Sequence, residues 1–258
     1  MPSLTHVFSP EVEELKEQRR ILVRLEQELT EKELDLSTLH GELHVFERRY
    51  SRVVGVKYAE LDEVKAQILD LAARFYPKSD RFRTQAESAR EHARQSSGEQ
   101  TASEKESGPR KKFKPSEDLK KLFRDVAKKI HPDLASNEGD REKRHRLMAC
   151  LNQAYDRLDD EGIRAILVEW EAGDHSEAIG PGARLVKTLR QMAQVRKRIQ
   201  EIHRELEKLK NSAMYRLKEK VERVERNGLD PLKEMAAEVD EKVHSFKARV
   251  RDLAAELE

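Results

Sequence analysis

From Leu15 to Leu43 the chain places a leucine at every seventh position, with Leu22, Leu29 and Leu36 between them and Tyr50 next in the series. A second series, three residues out of step, holds Leu25, Leu39, Phe46 and Val53, with Gln18 and Lys32 as its polar members. Two interleaved seven-residue series draw a narrow apolar seam along one long α-helix, and such a seam must be buried against another helix. Lys32 within it is the kind of polar residue that fixes register at some cost in stability. Ser9 and Pro10 supply the start, because serine caps a helix well and proline fits its first turn.

The rest of the chain has the same character. Of 258 residues, 37% are hydrophobic and 39% charged, which favours long helices over one large globular core. Glycine, proline and aromatic residues are scarce, so the expected class is all-α, with long coiled-coil or hairpin arms flanking a small helical module. Lys+Arg and Asp+Glu total 51 and 50, which leaves no overall bias toward nucleic acid or acidic membranes. The first residues lack the basic and apolar pattern of a secretory signal, and no stretch is long and apolar enough to span a bilayer; the expected location is cytoplasmic. The lone Cys150 reads as a buried, inert thiol in a helix, since no second ligand stands at metal-site spacing.

The composition divides the chain into five segments. Residues 1–94 read as an N-terminal coiled-coil region whose seam slips at Val53-Val54-Gly55-Val56, where a hinge, a tight turn or a stutter would each account for the slip. Pro77 closes that pattern. Residues 95–113, rich in serine, glycine and mixed charge, read as a flexible linker. A compact module over 114–172 follows, then a second linker at 173–183. Residues 184–258 carry two apolar stripes separated by Asn227-Gly228-Leu229-Asp230-Pro231, a helix stop followed by a cap and a restart, which predicts an antiparallel helical hairpin. The first long seam suits dimerisation and the last two helices suit self-pairing, but one sequence leaves pairing within or between chains open.

In the central module, Leu119, Leu122, Phe123, Val126 and Ile130 share one helical face, while Lys120, Lys121, Arg124 and Lys128 gather on the other. Ser116 is placed to cap this helix, and Glu117 and Asp118 suit its positive end. Pro132 forces His131 out of helical conformation, so the chain turns where the basic face ends. A second helix from near Asp140 then carries Leu147, Leu151, Ala154, Tyr155 and Leu158 on one stripe, suited to antiparallel packing on the first. Ile163, Ile166, Leu167 and Trp170 mark a further packing helix.

The run from Leu119 to Asp133, ending in His131-Pro132-Asp133, resembles the second helix and signature loop of the J domain of DnaJ-type co-chaperones. The run Leu151-Asn152-Gln153-Ala154-Tyr155-Asp156-Arg157-Leu158-Asp159-Asp160 is similar to that family's third helix. The resemblance implies a non-catalytic role: His131, Pro132 and Asp133 would contact a DnaK-type ATPase chaperone near its interdomain linker and promote ATP hydrolysis. Lys120, Lys121, Arg124 and Lys128 would steer docking onto an acidic surface of that partner. ATP would be handled by the partner, so no cofactor is implied for this chain. The family's first helix has no counterpart in the polar stretch from Gly98 to Pro115, so either the module is truncated or another part of the chain covers the hairpin. The coiled-coil arms would engage a client.

Two other classes compete with that expectation. A structural coiled-coil protein would keep the hairpin only for packing, and covered basic residues would favour it. A nucleic-acid-associated protein would use Lys111, Lys112, Lys114 and the basic helix face, although no groove-reading motif or interleaved aromatics accompany them. For an enzyme the sequence offers no nucleophile beside a base, no phosphate-cradling loop and no metal-ligand spacing at His131 and Asp133.

Overall fold

A computed structural model of the chain describes residues 10–105, 113–135, 137–172 and 181–256. Among these residues there is no strand, and the fold is all-α. Contacts gather the chain into two units, each built from separated stretches of sequence. One comprises residues through Glu42 together with Lys114–Ser212, and the other Leu43–Phe113 together with Ala213–Glu258.

In the first unit, helix α1 (Pro10–Tyr50) contributes the leucine seam, and that seam is occupied within the chain. Leu22, Leu29 and Leu36 are buried in one cluster with Met192, Val195, Ile199 and Ile202 of helix α7 (Pro181–Lys210). Glu33 pairs with Arg198, and residues 34–42 line a groove with Leu206 and Lys210, so the two helices run in the same direction. The stretch from 184 therefore departs from the expected self-paired hairpin. Its first arm stops at Lys210, where Asn211 and Ser212 turn the chain and the Ser212 hydroxyl donates to the Leu209 carbonyl. Its seam packs on α1 because a heptad stripe specifies an apolar face and leaves the partner open.

Helices α4 (Glu117–Ile130), α5 (Glu138–Asp156) and α6 (Asp160–Glu171) pack on one another in the same unit. Each begins as its local sequence dictates. Ser116, Asn137 and Asp159 accept hydrogen bonds from the backbone N–H groups of Leu119, Asp140 and Gly162 respectively. Phe123, Val126, Ile130, Leu151, Tyr155 and Ile163 are fully buried, and the Phe123 and Tyr155 rings meet with centroids 4.8 Å apart. Leu158 lies beyond the end of α5, at φ 56° in a left-handed turn, so the helical stripe stops at Tyr155. Cys150 is exposed, contrary to the expected burial. It sits roughly 100° around the helix from the centre of the buried stripe of Leu147, Met148, Leu151 and Tyr155.

In the second unit, α1 passes into a π-helical turn at Ser51–Gly55 and continues as α2 (Val56–Phe75). The slip in the heptads is thus a stutter absorbed without a break, with Val54 buried at its centre. Helix α3 (Asp80–Lys105) folds back along α2, where Arg90 pairs with Asp70 and the Ser96 hydroxyl donates to Asp62. Residues 95–105 are therefore helical instead of linker, and 106–112 lie outside the described residues, as do 173–180 of the second linker. The helix persists because the buried residues Ala86 and Ala93, too small to register as a core stripe, let α3 approach α2 closely. Helices α8 (Ala213–Glu225) and α9 (Pro231–Ala255) are joined as the sequence predicts, with Gly228 at φ 80° and Asp230 accepting from the Lys233 N–H. Leu61 and Val64 of α2 meet Val239 and Val243 of α9, and Phe46 and Val54 meet Val221 and Leu232.

Candidate functional site

The signature tripeptide lies at the turn between α4 and α5, where Pro132–Leu134 form a single 3-10 turn. There His131 is 2% exposed and Pro132 is buried, because α1 and α7 close over the turn. His131 Nδ1 accepts the backbone N–H of Asp133 at 3.2 Å, and Nε2 faces Glu33 Oε1 at 3.2 Å. A neutral ring protonated at Nε2 satisfies both contacts at once.

Glu33, from the middle of α1, is buried with its side chain 5% exposed. Arg198 of α7 donates to it from Nε at 2.8 Å and Nη2 at 3.4 Å, and reaches Glu205 at 3.0 Å with Nη1. Burial pushes the Glu33 carboxyl toward protonation, yet the bonds from His131 and Arg198 outweigh it and hold the group below its ordinary range. Asp133 has the opposite balance. Burial raises its pKa despite His131 and Arg198, and its Oδ2 is buried without a hydrogen bond.

Arg144 of α5 completes the turn from the other side. It donates to the carbonyls of Lys129 and His131 at 2.9 and 3.2 Å, satisfying the end of α4, and pairs with Asp140 at 2.9 Å. Its guanidinium carbon lies 4.5 Å from the centre of the buried Trp170 ring, so Trp170 is a packing residue at this turn. The sequence analysis missed Glu33, Arg144 and Arg198. Arg144 alone carried a signal, since it continues the apolar stripe of α5 one turn before Leu147 and Met148.

Of the basic residues of α4, the four that gather on its polar face, Lys120, Lys121, Arg124 and Lys128, separate into two pairs. Lys121 and Lys128 are exposed. Lys120 and Arg124 are half-buried and line a groove of about 390 Å³ together with Glu31, Asp35, Glu42 and Glu117. Arg124 bonds both carboxylate oxygens of Glu31 at 3.2 Å, and Lys120 reaches Glu117 at 2.8 Å. Helix α1 also lies against α5: its Ser37 hydroxyl donates to Asn152 at 3.0 Å and its Thr38 hydroxyl lies 3.0 Å from the Tyr155 hydroxyl.

Among the described residues no three His, Cys, Asp or Glu side chains stand together in metal-holding geometry, and no helix is long and apolar enough to cross a membrane. The arrangement around His131 is a set of hydrogen bonds that engages both ring nitrogens and links the turn to Glu33 and Arg198. No protein-family model and no solved structure matches the chain.

Proposed function

We propose that the protein is a cytoplasmic, non-catalytic J-domain-type co-chaperone or adaptor, which recruits a DnaK-type chaperone and stimulates its ATPase at a target engaged by the long helices. The observation that carries this reading is the α4–α5 hairpin itself. It joins an exposed basic pair, Lys121 and Lys128, to a turn made of His131-Pro132-Asp133, over a core of its own. Lys120 and Arg124 add to the same face from within the groove. ATP is bound by the partner chaperone in this reading.

The test is steady-state ATP hydrolysis by a DnaK-type chaperone with the parent protein, with Asp133→Asn, with His131→Gln and with none of them, helicity being checked for each. Stimulation by the parent that is lost in both variants is the expected result. Equal rates with parent and variants would count against it. A second reading, a helical scaffold in which the hairpin serves only packing, is favoured by the burial of His131 between α1 and α7. It predicts that His131→Gln lowers stability while no variant alters the chaperone's rate.

A further inference from the structure

We infer that Glu33 of α1 and Arg198 of α7 form a releasable clasp over the α4–α5 turn, so that the protein as folded here withholds His131 and Asp133 from a partner. The regulatory meaning of the clasp rests on the co-chaperone reading; the clasp itself rests on geometry.

Three observations carry it. The His131 side chain is 3% exposed and its Nε2, the nitrogen directed away from its own turn, is engaged by Glu33. At the His131 side of the turn the contacts to α1 and α7 are polar, His131 to Glu33, Glu33 to Arg198, and the Gln191 amide to the Leu134 carbonyl, while the Leu134 side chain packs against the apolar seam. The contacts that hold α1 to α7 are a continuous apolar cluster. Polar contacts exchange for water, so the His131 side of the turn can be uncovered while Leu134 and the leucine seam keep their apolar packing. Finally, the closed arrangement leaves Asp133 Oδ2 buried and without a hydrogen bond. An orphaned carboxylate oxygen penalises the closed state and is relieved on opening. Closure over His131 is therefore held by polar contacts, against a built-in cost.

Solvent access to His131 reports the clasp directly. The full chain is treated with diethyl pyrocarbonate and the modification of each histidine followed by mass spectrometry, with the exposed His145 as internal reference. In the parent, His131 is expected to react at least about tenfold more slowly than His145. Glu33→Lys sets a cation against His131 and Arg198 and should bring His131 close to the rate of His145, with helicity unchanged. Arg198→Gln, which removes an anchor of Glu33 without adding charge, is measured beside it in case the lysine variant unfolds. A parent His131 that already reacts within about twofold of His145 overturns the clasp, as does continued protection of His131 in folded variants. The ATPase of a DnaK-type chaperone, measured with the same samples, separates the two ideas. Raised reactivity with raised ATP hydrolysis supports both, whereas raised reactivity with unchanged hydrolysis keeps the clasp and overturns the co-chaperone reading.

Discussion

Glu33 and Asp133 lie on either side of His131 with opposed electrostatics, and each makes a separate prediction. Glu33 has a depressed pKa, so the stability it contributes is present above its unfolded value of about 4.3 and is lost as pH falls through its lower folded value. Glu33→Gln should cost about 1–2 kcal/mol at pH 7, below the range for a fully buried pair, because Arg198 is 27% exposed and keeps Glu205. Urea denaturation at pH 7 and pH 4 checks this, and the difference between parent and variant should shrink in acid. Asp133 has a raised pKa, so its ionisation becomes a growing cost as pH rises above about 3.9 toward its folded value. Asp133→Asn should therefore stabilise the protein at pH 7 by up to about 1 kcal/mol, read from the same urea transitions. Neither Glu33 nor its partner Arg198 was legible in the sequence. Glu33 stands among polar helix positions that look solvated, and Arg198 is one of many cations on a charged helix.

At the scale of elements, local signals were read well and distant ones were not. The caps at Ser116 and Asp230, the stripe of α4 and the break at Gly228 all depend on neighbours within a few residues. The heptad slip at Val53–Val56 was equally visible, and the π-helical turn gives it one meaning. By contrast α1 has a second buried face, including Thr30, Glu33 and Ser37, whose polar residues read as solvent-facing because their partners lie far along the chain. Helix α3 was hidden for a different reason. Its inner face uses alanine and serine, which carry little hydrophobic signal but permit close packing. Ala86, 4% exposed, has little room, so Ala86→Leu should cost about 1–3 kcal/mol in urea denaturation despite leucine's good helix propensity. No loss of stability would mean that α3 is not packed there on α2.

On the whole-molecule scale, the sequence suggested consecutive regions, an arm, a hairpin module and a second arm. The chain instead forms two units from interleaved stretches, with the boundary falling inside α1 between Glu42 and Leu43. Periodicity told which faces would be buried, whereas partner choice was set by the fit of α7 to α1 and of α9 to α2. This pairing gives the α4–α5 turn its cover, because Glu33 of α1, held by Arg198 of α7, reaches His131. In the proposed function this turn would dock on a DnaK-type chaperone, and the clasp would control its availability. The most direct test is steady-state ATP hydrolysis by such a chaperone in the presence of the parent, Glu33→Lys, and the Glu33→Lys, Asp133→Asn double variant. Greater stimulation by Glu33→Lys than by the parent, abolished in the double variant, is the predicted result. A folded Glu33→Lys protein with His131 accessible and no effect on the chaperone would contradict it.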